Sequence, residues 1–353
     1  MTARTGPFPR PHFMARLLPS LAALALGIMA HPSQGNAADV RVGIIGLDTS
    51  HGAEFPLRLN DPASTHYVPG ARVVAALPTF SADLPMSKDR VEDFTATVRD
   101  KYGVRIVSTV EELTAAVDAI MILSLDGRPH LKQVQSVLKA GKPIFLDKPV
   151  AASLKDAVAI YEQAEAAHVP LFSASAVRWY PGVMEVASAQ IEGVSGAISY
   201  GPAPKMPEHP SLFFYGIHPT EALFTVLGHG CASVSAVSSD KATVVTAKWS
   251  DGRIGTLYAM HTWPADYKVT LFGKDKIIEQ TTGGDYTPLV REIVKFFQTG
   301  TPPVTAAQTL EIYAFMEATD ESLRKGGRPV KLSEVLEKAQ CPTKWLPASP
   351  QAP

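Results

Sequence analysis

Cysteine is nearly missing: among 353 residues only Cys231 and Cys341 occur. One follows a helix terminus and the other lies in a Pro-rich tail, so they give neither a disulfide framework nor metal-site spacing and read as free thiols. A basic excess is missing too. Lys and Arg number 33 against 34 Asp and Glu, a net charge of −1, which excludes the electrostatic footprint of a nucleic-acid binder. Bilayer-length apolar runs are absent as well, since Leu21–Ala30 is too short to span. With Arg16 before that run and small, polar residues after it to Ala37-Ala38, residues 1–38 read as an export signal cleaved near Ala37 or Ala38. No lipoprotein cysteine follows the run and no twin arginine precedes it, Arg10 and Arg16 standing apart. The expectation is a periplasmic or secreted protein, exported unfolded, with no membrane span in its mature part. At 46% hydrophobic and 19% charged overall, the 353 residues read as an ordinary soluble chain long enough for two domains.

Two glycines are missing where a dinucleotide turn needs them. Val40–His51 reads VRVGIIGLDTSH, a buried strand running into Gly46 and a helix start, which is how a doubly wound sheet presents backbone N–H groups to a diphosphate. The usual second and third small residues are here Asp48 and His51. A carboxylate repels a diphosphate, and an imidazole is bulky where helix and strand close. The acid that normally holds the ribose about twenty residues further on is missing also; the second strand, Ala71–Leu77, ends in Pro78-Thr79-Phe80.

What is present is an α/β pattern. Helices are expected at His51–Asn60, Val91–Tyr102, His130–Ala140 and Leu154–Ala167, and strands at Val117–Leu123, Pro143–Leu146 and Leu171–Ser173, with Ser81–Asp89 a polar loop insertion. This alternation means a parallel Rossmann-like doubly wound sheet with its ligand crevice at the strand C-termini, where Asp48, Asp126, His130 and Lys148 fall. From about Arg178 strand-like runs follow in series: Val194–Tyr200, Ala232–Ser238, Thr243–Trp249, Arg253–Met260 and Tyr267–Phe272. One helix, Pro219–Leu227, interrupts them, and two more, Thr287–Gln298 and Leu310–Lys325, close the chain. The expected organisation is a domain at 39–175, an α+β domain with an open, mainly antiparallel sheet at 176–335, and a Pro-rich tail at 336–353. The exposed face of such a sheet commonly pairs with a second copy.

The strand VGIIG, the segment DAIMILSLDGRPHLKQVQSVLKAGKPIFLDKPVA, RWYPG, YGIHPTEALFTVLG and TLEIYAFMEATDESLRKGGRPVKL together resemble the Gfo/Idh/MocA oxidoreductases, in that family's order and spacing. The resemblance implies a Rossmann domain joined to a sheet domain, and hydride transfer between NAD or NADP and a sugar or cyclitol carbon. It matches the family's Glu-Lys-Pro motif to Asp147-Lys148-Pro149 and its substrate-helix histidine to His218. It places the nicotinamide cofactor at Gly46, Leu47, Asp48, Thr49, Ser50 and His51, at Ser124 and Asp126, and at Asp147 and Lys148. Phe214 stands where the resemblance expects a catalytic aspartate four residues before His218, and Glu221 where it expects an aspartate three residues after it. The GLDTSH start marks a distinct branch.

Lys148, at a strand end before a proline, is suited to stabilise charge developing on a substrate oxygen. His218 is suited to move the hydroxyl proton, its ordinary pKa lying near neutrality, and Glu221 is either a third catalytic group or a capping-box carboxylate. Arg178 and Trp179 offer a donor fork and an apolar platform for a sugar ring. Asp48 equally suits a helix cap. Asp48, His51, His218 and Glu221 would alternatively suit a divalent metal, with Asp126, His130, His209 and His261 as further candidates. The first reading is an NAD(P)-dependent oxidoreductase of a sugar. Competing readings are a non-redox, metal-assisted lyase, hydratase or isomerase on the same scaffold, and a carbohydrate-binding protein without catalysis.

Overall fold

The computed structural model describes residues 38–263 and 266–346. The expected export signal, apart from Ala38, and the end of the Pro-rich tail lie outside the described residues. Six parallel strands form the first sheet: β1 (Val40–Ile45), β2 (Ala71–Leu77), β3 (Arg105–Ile106), β4 (Ala119–Ile122), β5 (Ile144–Leu146) and β6 (Leu171–Phe172), in the order β3-β2-β1-β4-β5-β6. Val42, Ile44, Ile120, Ile122, Ile144 and Leu146 are closed to solvent, as strands covered on both faces require. The order reverses between β1 and β4. That switch point opens the crevice at the strand C-termini.

The second sheet comprises β7 (Gly196–Pro202), β8 (Cys231–Ser238), β9 (Ala242–Trp249), β10 (Ile254–Met260), β11 (Lys268–Phe272), β12 (Ile277–Glu279) and β13 (Val330–Lys331), ordered β12-β11-β7-β10-β9-β8-β13. All its pairs are antiparallel except β7 with β10. The expected mixed architecture is therefore present. Its short elements went unread: β3, β12, β13, and the helices Val110–Ala116, Pro181–Ser188 and Leu332–Lys338. Beyond Lys325 the chain stays packed as far as Trp345, whose ring meets Tyr161 edge-on with centroids 6.4 Å apart.

Two cores result. The helices Leu154–Ala166 and Ala306–Arg324 share one with the second sheet, while helix Thr287–Thr299 returns to the first sheet, placing Leu289, Ile293 and Phe296 in a cluster with Val42, Ile44, Met121 and Phe172. Its wide apolar face explains this return. Phe296 meets Phe172 edge-on at 4.8 Å, and the same return brings Tyr286 to the crevice. Both cysteines are free and buried. Phe296→Ala is expected to lower unfolding free energy by about 3–5 kcal/mol, read as a shifted urea midpoint with unchanged slope.

Candidate active site

Gly46 makes the turn after β1 with φ +92, and a Cβ there would collide with the Ser124 backbone. Its smallness thus serves the closure of the β1 turn onto the β4 turn. Ser50 occupies the N-cap of helix His51–Asn60 and makes no side-chain cap bond. Asp48 does not cap that helix, contrary to the expectation. Its carboxylate instead accepts from the Ser87 hydroxyl at 2.6 Å and from the Leu125 N–H at 3.0 Å, closed to solvent. Burial pushes this carboxyl above its ordinary range, the Ser87 and Leu125 hydrogen bonds acting the other way.

Ser87 belongs to the polar segment after β2. Far from being a plain surface loop, this segment contains a short helix, Pro85–Lys88, and crosses the crevice from β2 over the ends of β1 and β4. Ser81 donates to Asp126 at 2.6 Å, Asp83 pairs bidentately with Arg128 at 2.7 and 3.0 Å, and Leu84 is buried against Leu125 and Phe214. Burial disfavours the Asp126 charge, but His209, Arg128 and Ser81 hold its carboxyl well below the usual range. His209 Nε2 lies 3.1 Å from Asp126. His130 is a buried tie, its two nitrogens facing the carbonyls of Val150 and Ser124 at 3.2 and 3.0 Å. His261 faces Thr243 Oγ1 at 3.0 Å, on the second sheet.

The other side of the β1 turn faces a cavity of about 260 Å³ lined by His51, Lys148, His218, Tyr215, Tyr267, Tyr286 and Trp263, among others. His51 Nδ1 stands 2.5 Å from Asp147 Oδ2, both buried. Burial opposes the Asp147 charge, yet His51, then Lys148, hold this carboxyl below its ordinary range. A carboxylate only accepts, so His51 carries a proton on Nδ1, and the neutral form of its ring presents a bare Nε2. The His51 ring stacks on Phe55 at 4.9 Å and meets Tyr286 edge-on at 4.6 Å, which fixes its plane. Lys148 Nζ lies 5.0 Å over the Tyr215 ring.

Helix Ile217–Leu227 begins two residues before the expected Pro219, placing His218 in its first turn, where Pro219 is tolerated. His218 Nδ1 is 2.6 Å from Ser175 Oγ, which already accepts from the Val177 N–H at 3.1 Å. The serine hydroxyl is then free to donate to Nδ1, an arrangement in which the His218 proton sits on Nε2. Burial, then Lys148 and His51, drive the His218 pKa well below 6.5, so its ring is neutral near neutral pH. Glu221 is no capping-box residue. It accepts from Arg178 Nε and from the Ser175 N–H, each at 2.7 Å, and so sits behind His218 rather than at the cavity wall. Arg178 Nε is taken by that pair, and its guanidinium stands 6.0 Å from the Trp179 ring; neither residue lines the cavity. The aromatic platform is Tyr215, Tyr267, Tyr286 and Trp263, which sequence reasoning missed because three separate segments supply it.

Asp48, His51, His218 and Glu221 do not come together: Asp48 serves the crossing segment, Glu221 serves Arg178, and no group of three or more His, Cys, Asp or Glu among the described residues is placed to hold a metal ion. Residues 79–90 cover the Asp48 side of the glycine turn, whereas Thr49, Ser50 and His51 face the cavity. Asp48 and Ser87 are closed to solvent and the Leu125 N–H is already taken.

Residues 40–175 match a family model, Gfo/Idh/MocA, described as an oxidoreductase family with an NAD-binding Rossmann fold. Inositol 2-dehydrogenase of Cereibacter sphaeroides is 34% identical over 127 residues, 36% of this chain and 33% of that protein. Inositol 2-dehydrogenase 3 of Saccharopolyspora erythraea is 30% identical over 143 residues, 40% of this chain and 37% of that protein. The chain thus spans about a third of the length of the curated relatives it matches. Among solved structures, GenD2 from gentamicin A biosynthesis in complex with NAD has a TM-score of 0.66 at 16% identity, over 84% of this chain and 97% of that one. An Agrobacterium radiobacter oxidoreductase in complex with NAD+, L-tartaric acid and magnesium has a TM-score of 0.68 at 16% identity, over 84% and 100%. At these identities the likeness is one of fold.

A buried histidine held neutral binds fewer protons than the unfolded chain, so acid favours unfolding and its contribution to stability is lost as pH falls below about 6.5. His130, also lowered by burial, acts in the same direction. His218→Asn is expected to lose less stability than the native chain between about pH 7.5 and 5, read from urea midpoints at each pH.

Proposed function

We propose that the whole chain is an oxidoreductase of the Gfo/Idh/MocA type, exchanging hydride between a nicotinamide cofactor and a hydroxyl or carbonyl carbon of a sugar or cyclitol. The names of the matched relatives support the substrate class, and residues 40–175 support the cofactor class. The observation that carries the reading is the convergence of His51, Lys148 and His218 on one aromatic-walled cavity at the sheet switch point.

Its volume of about 260 Å³ lies just below the usual span of small-molecule pockets, about 300–1,000 Å³, and suits one polyhydroxylated ring. The faces of Tyr215, Tyr267 and Trp263 pack against the ring's C–H surfaces. Lys148 and the His218 Nε2–H donate to the reacting oxygen and stabilise the negative charge developing there. His51 takes the hydroxyl proton on Nε2, with Asp147 holding its tautomer and stabilising the imidazolium that forms. Glu221 positions His218 through Ser175. Acid–base chemistry is thus divided: the sequence reading gave the proton to His218, and the hydrogen-bond network favours His51. The outward row Ile198, Tyr200, Ile254 and Tyr258, each over a third exposed, supports pairing of the second sheet with another copy.

The occupied groove favours a second reading, in which the same three residues move protons on an oxidised sugar without redox chemistry. Both are tested with protein expressed from Ala38, given myo-inositol or hexoses with NAD or NADP and followed by nicotinamide absorbance, while nucleotide-free samples in deuterated water are followed by proton NMR. Nucleotide-dependent turnover, with kcat falling about 10²–10⁴-fold in His51→Gln and KM little changed, is the expected result. Deuterium incorporation, isomerisation or elimination without nucleotide overturns the redox reading in favour of the second. Full activity in His51→Gln overturns the role given to His51.

A further inference from the structure

Two departures from the dinucleotide pattern, at Asp48 and after β2, and one from the resembling family, at Phe214, meet in one segment. Asp48, in place of the second glycine, binds Ser87; Phe214, in place of a catalytic aspartate, packs on Leu84; and Ser87 and Leu84 both belong to the segment that leaves β2 where the ribose acid is missing. The segment fastens at both banks of the switch point. On the β1 bank the tie is Ser87 to Asp48, and on the β4 bank it is Ser81 to Asp126 and Asp83 to Arg128. Within it, Ser87 Oγ accepts the Ser81 N–H at 2.8 Å, so one hydroxyl closes the segment on itself and onto the turn.

A diphosphate bound at such a turn supplies negative oxygens to backbone N–H groups. Here a carboxylate already does so, because Asp48 accepts the Leu125 N–H at 3.0 Å. We propose that Asp48 and residues 79–90 form an internal occupant of the dinucleotide groove, with the Asp48 carboxylate standing in for a phosphate, so that nucleotide binds only as this segment withdraws. The proposal rests on the oxidoreductase reading in assigning the groove to a nucleotide. It adds that the groove is latched shut by the protein's own side chains.

A latched groove weakens apparent affinity by the fraction of molecules that are open, and loosening the latch restores it. Two variants loosen it differently. Asp48→Gly removes the carboxylate and releases Ser87, whereas Leu84→Ser with Ser87→Ala releases the segment but keeps the carboxylate. NAD and NADP binding is measured by calorimetry on the chain from Ala38 and on both variants, with hydrogen–deuterium exchange of residues 79–90 followed with and without nucleotide.

The expected result is binding at least about tenfold tighter in each variant than in the native chain, together with faster exchange across 79–90 whenever nucleotide is bound. Native-chain binding that leaves the protection of 79–90 intact overturns the proposal, because segment and nucleotide then coexist. Absence of binding in all three proteins also overturns it, since the segment is then not what keeps nucleotide out. Failure of the oxidoreductase reading has a different signature: variants that bind nucleotide and open the segment, yet turn over no polyol.

Discussion

A carboxylate shut away from water must find donors, and the arrangement around Asp48 follows from that constraint. An unpaired buried charge is far costlier than a paired one. Asp48 is paired by one backbone N–H and one hydroxyl, and each donor fixes something larger. Leu125 brings the β4 turn against the β1 turn, where Gly46 leaves the needed room. Ser87 brings in the segment after β2. Once the segment is there, Leu84 needs apolar neighbours and meets Leu125 and Phe214, while Asp126 gathers Ser81, Arg128 and His209. The closed groove is thus a chain of satisfied requirements starting from one residue.

On the far side of the same turn a second pair does comparable work. Asp147 and His51 stand where the motifs of the resembling family have a glutamate and a small residue, and the two fit together. The two histidines of the cavity thus meet different partners, a carboxylate at His51 Nδ1 and a hydroxyl at His218 Nδ1, and in the proposed reaction that difference gives one a bare nitrogen and the other an N–H.

The architecture was legible because its signals are local and repeated. Val42–Ile45, Ala71–Leu77 and the helices ended by Gly103 and Gly141 declare themselves by apolar runs and left-handed glycine stops. Two-residue strands such as β3 and β13 carry too few residues for any period to show. Within the site, Lys148, His51 and His218 were readable as strand-end or helix-start residues beside turn signals. Tyr215, Tyr267, Tyr286 and Trp263 were not, since aromatic residues on strands and loops are ordinarily core and only the closing of the second sheet over the first makes them a wall. Glu221 misled for the converse reason: a carboxylate near a helix start suits capping, and only tertiary contact with Arg178 and Ser175 redirected it.

The turn Asp48–His51 therefore serves two functions within a single loop. Its first residue faces the groove and its last faces the cavity, and backbone bonds from Gly52 to Thr49 and from Ala53 to Ser50 tie the intervening residues into the helix start. Glycine at both positions would give a turn open to a diphosphate, with no base beside Lys148. Aspartate and histidine give a turn whose groove face is satisfied from within and whose cavity face carries a proton acceptor. Asp147, His51, Lys148 and His218 already stand together with residues 79–90 in place. In the proposed oxidation the hydroxyl proton and the hydride leave the same carbinol group together. An assembled proton acceptor is therefore idle until a hydride acceptor reaches the cavity, and under the proposed latch that waits on residues 79–90.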